Sequence, residues 1–384
     1  MKNVFVAKQE KATVSSQQQE RALMPFDWWL FTVVIFLLGI GLVMVLSASG
    51  IVAEQSYGDK YYFFNRQLIF AGIAGLCLWV AALMPRAFLY RIHYVLLILA
   101  FFLMIITLFS TPINGARRWI RLGFFSVQSM EFVKIAMALY LAYFMSEKHE
   151  LIKSFWRGVV PPTLVTGLFC LLLLLQPDFG SAVVLASILF FMCMAGGTRI
   201  FYLLLALSSA AGGAWLLAVS APYRMRRLLA FIDPFKDAQD TGYQLVQSLL
   251  AIGSGGFSGV GVGASRQKMF YLPEAHNDFI MAVVGEETGF LGITFVMLLL
   301  AFFFWRCLRI VLGQQTLRDR YSAFGITLII ALGAALNLAV VMGAAPPKGV
   351  PMPFLSYGGS NLVATMICVG LLMNFSRTVK PCSG

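Results

Sequence analysis

Ten apolar runs follow one another along the chain, at approximately 27–49, 64–84, 91–110, 128–146, 159–176, 179–197, 199–220, 279–310, 321–345 and 358–376. Each has about the 17–25 residues needed to cross roughly 30 Å of hydrocarbon, and only helices or closed barrels satisfy their backbone there. Composition points the same way: 59% of the 384 residues are hydrophobic and 12% are charged, whereas soluble domains carry about a quarter charged residues. The expected fold class is all-α, a polytopic membrane protein with ten transmembrane helices.

Lys and Arg in short loops set the orientation. Lys2, Lys8, Lys11 and Arg21 precede the first run. Alternate turns then hold Arg86 and Arg91; Lys148, Lys153 and Arg157; Arg199; and Arg306, Arg309, Arg318 and Arg320, while Arg377 and Lys380 follow the last run. Both termini are therefore expected to be cytoplasmic. Residues 1–25, rich in Gln, Lys and Ser, read as a disordered cytoplasmic arm, 26–376 as one ten-span domain and 377–384 as a cytoplasmic tail. Ser47-Ala48-Ser49 follows the first run, but that run is too long for a cleaved signal peptide. Residues 221–277 form the one large outer loop, and outward cations gather in it and at Arg117, Arg118 and Arg121.

The net charge of +12 is dispersed around the spans, which excludes a nucleic-acid stripe and points to lipid head groups and phosphates. Six cysteines show no metal-ligand spacing and read as small buried hydrophobes. In the large loop, Asp233-Pro234-Phe235 reads as a turn and residues 243–250 as a short interfacial helix. The glycine-rich run 253–263 lacks both the Gly-Lys-Ser/Thr and the preceding strand of a nucleotide site. It is expected to be a flexible loop, with its amides, Arg266 and Lys268 available to a pyrophosphate.

The stretch Tyr271-Leu272-Pro273-Glu274-Ala275-His276-Asn277-Asp278-Phe279 runs straight into the span that carries Glu286 and Glu287. An ionised carboxylate near hydrocarbon costs a few kcal/mol or more, so one held there usually has a function. Asp278 is the leading functional candidate. Its competing reading is a helix N-cap ahead of the eighth span.

These residues, with Ser265-Arg266-Gln267-Lys268 before them, resemble the SEDS proteins of bacterial shape, elongation, division and sporulation. Gly343-Ala344-Ala345-Pro346-Pro347-Lys348-Gly349-Val350-Pro351-Met352-Pro353-Phe354-Leu355-Ser356-Tyr357-Gly358-Gly359-Ser360, with Asn337 ahead of it, is similar to that family's C-terminal signature. Asn114-Gly115-Ala116-Arg117-Arg118-Trp119-Ile120 and Gln176-Pro177-Asp178-Phe179-Gly180 match further family segments. The Ser-Arg-Gln-Lys and Pro-Pro-Lys-Gly pieces look more like the division branch than the elongation branch, with the sporulation branch also open. Departures are Gln128-Ser129-Met130-Glu131 without the usual proline, and Asn277, Met281 and Asn361 in place of the usual residues.

The resemblance implies a peptidoglycan glycosyltransferase of the bacterial inner membrane, acting at the division septum. It would polymerise lipid II, the disaccharide-pentapeptide on undecaprenyl pyrophosphate. Asp278 would be the general base on the acceptor 4-hydroxyl, with inversion at the anomeric carbon, and cations would receive the pyrophosphate. Expected around the substrate are Arg117, Arg118, Trp119, Glu131, Lys134, Arg266, Lys268, Glu274, His276, Glu286, Glu287, Lys348 and Ser356. Plainer readings stand beside several of these. Trp119 and the arginines could be interfacial anchors, Glu131 and Lys134 an i,i+3 ion pair, and Ser356 a loop-shaping residue. No cofactor is certain, though a divalent cation (Mg or Mn) at the pyrophosphate is open. Implied partners are a class B penicillin-binding protein transpeptidase (FtsI-like), division regulators (FtsQLB-like) and the membrane, with no nucleic acid. A lipid II flippase, an elongation polymerase and a structural division scaffold are the competing classes.

Overall fold

The computed structural model describes residues 26–377, apart from 113–114, 124, 220–224, 226–230, 239–241, 266–267, 269–271 and 274. A helix occupies each of the ten apolar runs: α1 (Trp28–Tyr57), α2 (Tyr62–Leu83), α3 (Arg86–Leu108), α4 (Ser129–Glu147), α5 (Val160–Leu175), α6 (Phe179–Ala195), α7 (Ile200–Val219), α9 (Ile280–Leu312), α10 (Leu317–Val341) and α11 (Gly359–Ser376). The short α8 (Tyr243–Gly255) lies in the large loop. Among the described residues, seven helices, counting α5 with the turn before it, are long and apolar enough to cross a membrane on their own. Two of the others fall short for visible reasons: α4 carries Glu131, Lys134 and Glu147, and α6 has only 17 residues.

The all-α expectation needs one correction. Trp119–Leu122 (β1) and Phe125–Gln128 (β2) pair antiparallel, Trp119 opposite Gln128 and Leu122 opposite Phe125. Gly123, at φ 68°, takes the left-handed backbone that the tight turn between them requires. This hairpin leads straight into α4 and brings Arg117 and Arg118 onto the end of the bundle.

Helix α11 is the centre of the bundle, packed along α2 and flanked by α4 and α10. Most of its residues are buried, and a Cβ at Gly370 would overlap the Leu78 carbonyl of α2, so the two backbones touch. By contrast α2 and α3 bury only one face and turn Leu76, Val80, Ile98, Leu99 and Phe102 outward, as lipid-facing helices do.

Helix α9 is broken at Gly289 (φ 64°, ψ −161°), and the glycine-rich run is inserted at that break. Val260 and Gly261 donate their N–H groups to the carbonyls of Glu286 and Glu287, both at 3.0 Å. Phe290 and Leu291 donate to the carbonyls of Gly256 and Phe257, at 2.9 and 3.2 Å. Interrupting a helix strands backbone groups that must be paired when buried. A Cβ at Gly255 or Gly259 would strike the Gly285 or Glu287 backbone, so glycine is needed for the approach. The run is a backbone splice, not the flexible phosphate-facing loop that its composition suggested. The short α8 turns one apolar face inward: it packs on α9, buries Leu245, Val246 and Ala251, and Ser248 donates to the Val341 carbonyl at 2.8 Å.

Candidate active site

Asp278 lies in the turn just before α9, whose capping position is Phe279 and has no side-chain cap bond. Buried Asn337 of α10 donates to the carbonyls of Asp278 (2.7 Å) and Val350 (2.8 Å), tying this turn to the loop between α10 and α11. Two further bonds close the seam. Ser356 Oγ accepts from the Met352 N–H at 2.8 Å and donates to the Asn277 carbonyl at 2.5 Å, and the Tyr357 N–H donates to the His276 carbonyl at 2.9 Å. Ser356 is thus a strut between loops, with its hydroxyl engaged by backbone. Against this frame, a Cβ at Gly349 would lie 2.8 Å from Asp278 Oδ2, so the carboxylate rests on a bare Cα.

The residue before Gly349 reaches the other way. Lys348 donates to the Gly180 carbonyl in the first turn of α6, and a Cβ at Gly180 would overlap its methylene chain. Burial holds the Lys348 ammonium down to about 8; the Asp178 carboxylate opposes that fall, while Lys134 and Arg118 add to it. Those neighbours define the rest of the cluster. Lys134 pairs with Glu131 at 2.8 Å along one face of α4, so the i,i+3 ion pair is present. Asp178 caps α6 through Ser181, and Arg118 Nε stands 3.4 Å from Asp178 Oδ2. That distance gives attraction but not a formed hydrogen bond, and Arg118 Nε is buried without a hydrogen-bond partner. Arg118 Nη2 donates to the Pro177 carbonyl at 3.1 Å, and exposed Arg117 donates to the Leu108 carbonyl at 2.8 Å, with half-buried Trp119 following in β1.

Among the described residues, Asp178 and Glu131 stand against Lys348, Lys134 and Arg118, an array of positive charge suited to an anion with several oxygens. Such donors suit a divalent cation poorly, since Mg and Mn want carboxylate and carbonyl oxygen. Among the described residues no three His, Cys, Asp or Glu side chains converge as metal ligands.

A second buried cluster has the opposite character. Lys268 Nζ donates to Glu287 Oε1 (2.9 Å), Ser47 Oγ (3.1 Å) and the Gly263 carbonyl (2.6 Å), which uses all three of its protons. Ser47 of α1 donates to the Glu287 carboxylate at 2.6 Å, and Ser265 donates to Glu286. Lys268 and Glu287 side chains are 3% and 0% exposed. These three charged residues, expected around the substrate, are instead enclosed with one another beside the break in α9. Arg266, Glu274, Arg226 and Arg227 lie outside the described residues.

Asp178, Gly180, Gly349 and Ser47 carry no individual mark of a site in the sequence. A buried Asn in an apolar span was the available sign for Asn337, while Ser47 had none.

Residues 28–381 match the family model FTSW_RODA_SPOVE, described as cell cycle protein. The chain belongs to this family. It is 43% identical over 360 residues to a probable peptidoglycan glycosyltransferase FtsW of Thioalkalivibrio sp. (strain K90mix), covering 92% of this chain and 90% of that protein. It is 40% identical over 366 residues to stage V sporulation protein E of Bacillus subtilis (strain 168), covering 91% and 97%. Among solved structures it resembles a chain from a study of polymerization and crosslinking by a peptidoglycan synthase complex, at TM-score 0.79 and 27% identity over 92% of this chain and 98% of that one. The rod shape determining protein RodA of Thermus thermophilus is similar at TM-score 0.67 and 26% identity, over 93% and 99%. The FtsW/RodA/SpoVE fold thus extends over nearly the whole chain, and both loops of the Asp278 site lie inside the matched segment.

Proposed function

We propose that this FtsW/RodA/SpoVE protein polymerises lipid II into glycan strands during septal wall synthesis, with Asp278 as the general base. The observation that carries the reading is the placement of Asp278 Oδ2 against Gly349 while Lys348, one residue earlier, turns into the cation cluster. A base resting on one loop residue and a cation on the residue before it match a reaction in which a hydroxyl loses its proton as a pyrophosphate departs.

Asp278 takes the proton from the 4-hydroxyl of the acceptor sugar. The freed oxygen attacks the anomeric carbon of the donor, a C–O bond forms, and the bond from that carbon to the phosphate oxygen breaks with its electron pair going to pyrophosphate. Lys348, Lys134 and Arg118, with Arg117 and Trp119 at the rim, stabilise the charge that develops there. Attack opposite the leaving group inverts the donor carbon. Lys268, Glu286 and Glu287 hold the α9 break and its loop in place and do not touch substrate. His276 and Ser356 act through the shape of the Asp278 turn.

The same reading takes the ten helices as ten spans of a bacterial inner-membrane protein with both termini cytoplasmic. α4 and α6 are then completed as spans by packing beside longer neighbours. The likeness to a chain of a peptidoglycan synthase complex supports a class B penicillin-binding protein transpeptidase as partner, with division regulators beyond it. The division role is favoured by the identity to the FtsW relative.

Purified protein with its transpeptidase partner and labelled lipid II tests the reading. Wild type should give a glycan ladder, and Asp278→Ala should lower the rate about 10²–10⁴-fold, as removal of a general base does, while melting like wild type. Wild-type polymerisation by Asp278→Ala would overturn it.

A further inference from the structure

A continuous aromatic surface runs from the Asp278 turn to the outer rim of α1 and α2. The His276 ring lies 5.6 Å from that of Tyr357 and 4.8 Å from that of Phe63. Phe63 is 5.3 Å from Tyr62, which stacks on Tyr57 with centroids 3.9 Å apart and planes 9° from parallel. Tyr57 is exposed, and Tyr62, Phe63, His276 and Tyr357 are partly so. Arg66 donates to the Tyr62 hydroxyl at 3.0 Å and lies over its ring, which holds the stack in place at the α1–α2 turn.

Aromatic residues at a membrane boundary commonly serve as anchors, spaced around the perimeter. Here the rings touch one another in sequence, and one end of the series joins the turn of the candidate base. The series leads towards α1 and α2, whereas Lys348 reaches towards α6. Ring faces carry negative charge density, and the C–H face of a sugar ring is weakly positive, so such a surface accepts successive sugars without reading their substituents, as stacking platforms accept successive bases.

We propose that this aromatic edge is the binding track for the sugar rings of the growing glycan strand. The inference rests on the glycosyltransferase reading above and adds where the product lies. The strand's pyrophosphate end occupies the cation cluster around Lys348, its anomeric carbon meets the acceptor at Asp278, and its earlier sugars run over Tyr357, Phe63 and the outer face of Tyr57, which Tyr62 backs.

The test compares wild type, Tyr57→Ala/Tyr62→Ala and Tyr57→Trp/Tyr62→Trp in the complex with the transpeptidase partner. Strand length from labelled lipid II, the KM for lipid II and the melting midpoint are read for each. Losing the Tyr57 face and the ring that backs it should shorten the mean strand about threefold or more while the KM changes less than about twofold, and the Trp pair should restore length. Tyr57→Ala alone, at an exposed ring, should shorten strands less, and it decides the matter if the double variant does not fold. Wild-type strand lengths in a folded Ala variant would overturn the track, as would a KM that rises in step with the shortening. If wild type itself makes no glycan, the glycosyltransferase reading fails; if wild type makes a ladder and the Ala variants make the same ladder, only the track fails.

Discussion

Two buried clusters in this molecule are made of the same parts, a lysine, carboxylates and close glycine backbones, and they end in different states. Around Lys268, every ammonium proton meets an acceptor, both Glu287 oxygens receive hydrogen bonds, and the group is shut from solvent. Around Lys348, cations outnumber carboxylates among the described residues in contact, the lysine is held down to about 8, and Arg118 Nε has no hydrogen bond. A buried charge in a membrane protein is therefore not in itself a sign of chemistry. What separates the two is whether the protein supplies all of the bonds the charge can make.

The largest expected effect lies in the closed cluster and on stability. Glu287→Ala should destabilise the protein by about 3–5 kcal/mol, because it leaves the Lys268 ammonium buried without its anion. A melt in detergent checks this, and an unchanged midpoint would erase the distinction between the clusters. Lys268→Met with Glu287→Leu should recover most of the loss, since apolar residues of similar volume often replace a buried pair at little cost.

Next, Lys348→Met should lower turnover about 10²–10³-fold, the usual consequence of removing one preorganised group from developing negative charge. Its melting midpoint should not fall, because the substitution ends the burial of a charge. Gly349→Ala should cost about tenfold in rate, as its Cβ displaces the Asp278 carboxylate by a small distance, and near-attack geometry is sensitive to such shifts. Wild-type rate in Gly349→Ala would show that the position of Asp278 against this loop is unimportant.

The smallest effect is a pH dependence. Burial lowers Lys348 from its ordinary value to about 8, so the charged fraction in the free enzyme falls as pH rises through that region. kcat/KM should show an alkaline limb near there, which Lys348→Arg should move beyond the measurable range, since guanidinium stays charged. A limb that stays in place in Lys348→Arg belongs to another group.

The difference between the clusters is also what the sequence concealed. Apolar run length placed the ten helices because length and hydropathy are local properties. Asp278 stood out for a local reason too, a carboxylate at the edge of a span. Lys268 and Glu287 looked equally functional, because their satisfaction depends on Ser47, which is 221 residues from Lys268 and 240 from Glu287. The glycine run read as flexible for the same reason: its partner is a helix break at Gly289 that no local pattern announces. The hairpin at 119–128 had a faint signal, two four-residue segments around Gly123, but they are shorter than most strands and sit beside a long apolar run.

The most direct test sets the clusters against each other in one assay of glycan synthesis from labelled lipid II, using Asp278→Asn and the Lys268→Met/Glu287→Leu pair with the transpeptidase partner. The expected result is a folded Asp278→Asn protein that gives no ladder, and a double variant that still gives one at close to the wild-type rate. A ladder from Asp278→Asn at the wild-type rate, or a folded double variant that makes none, would contradict the assignment of chemistry to the Lys348 side and support to the Lys268 side.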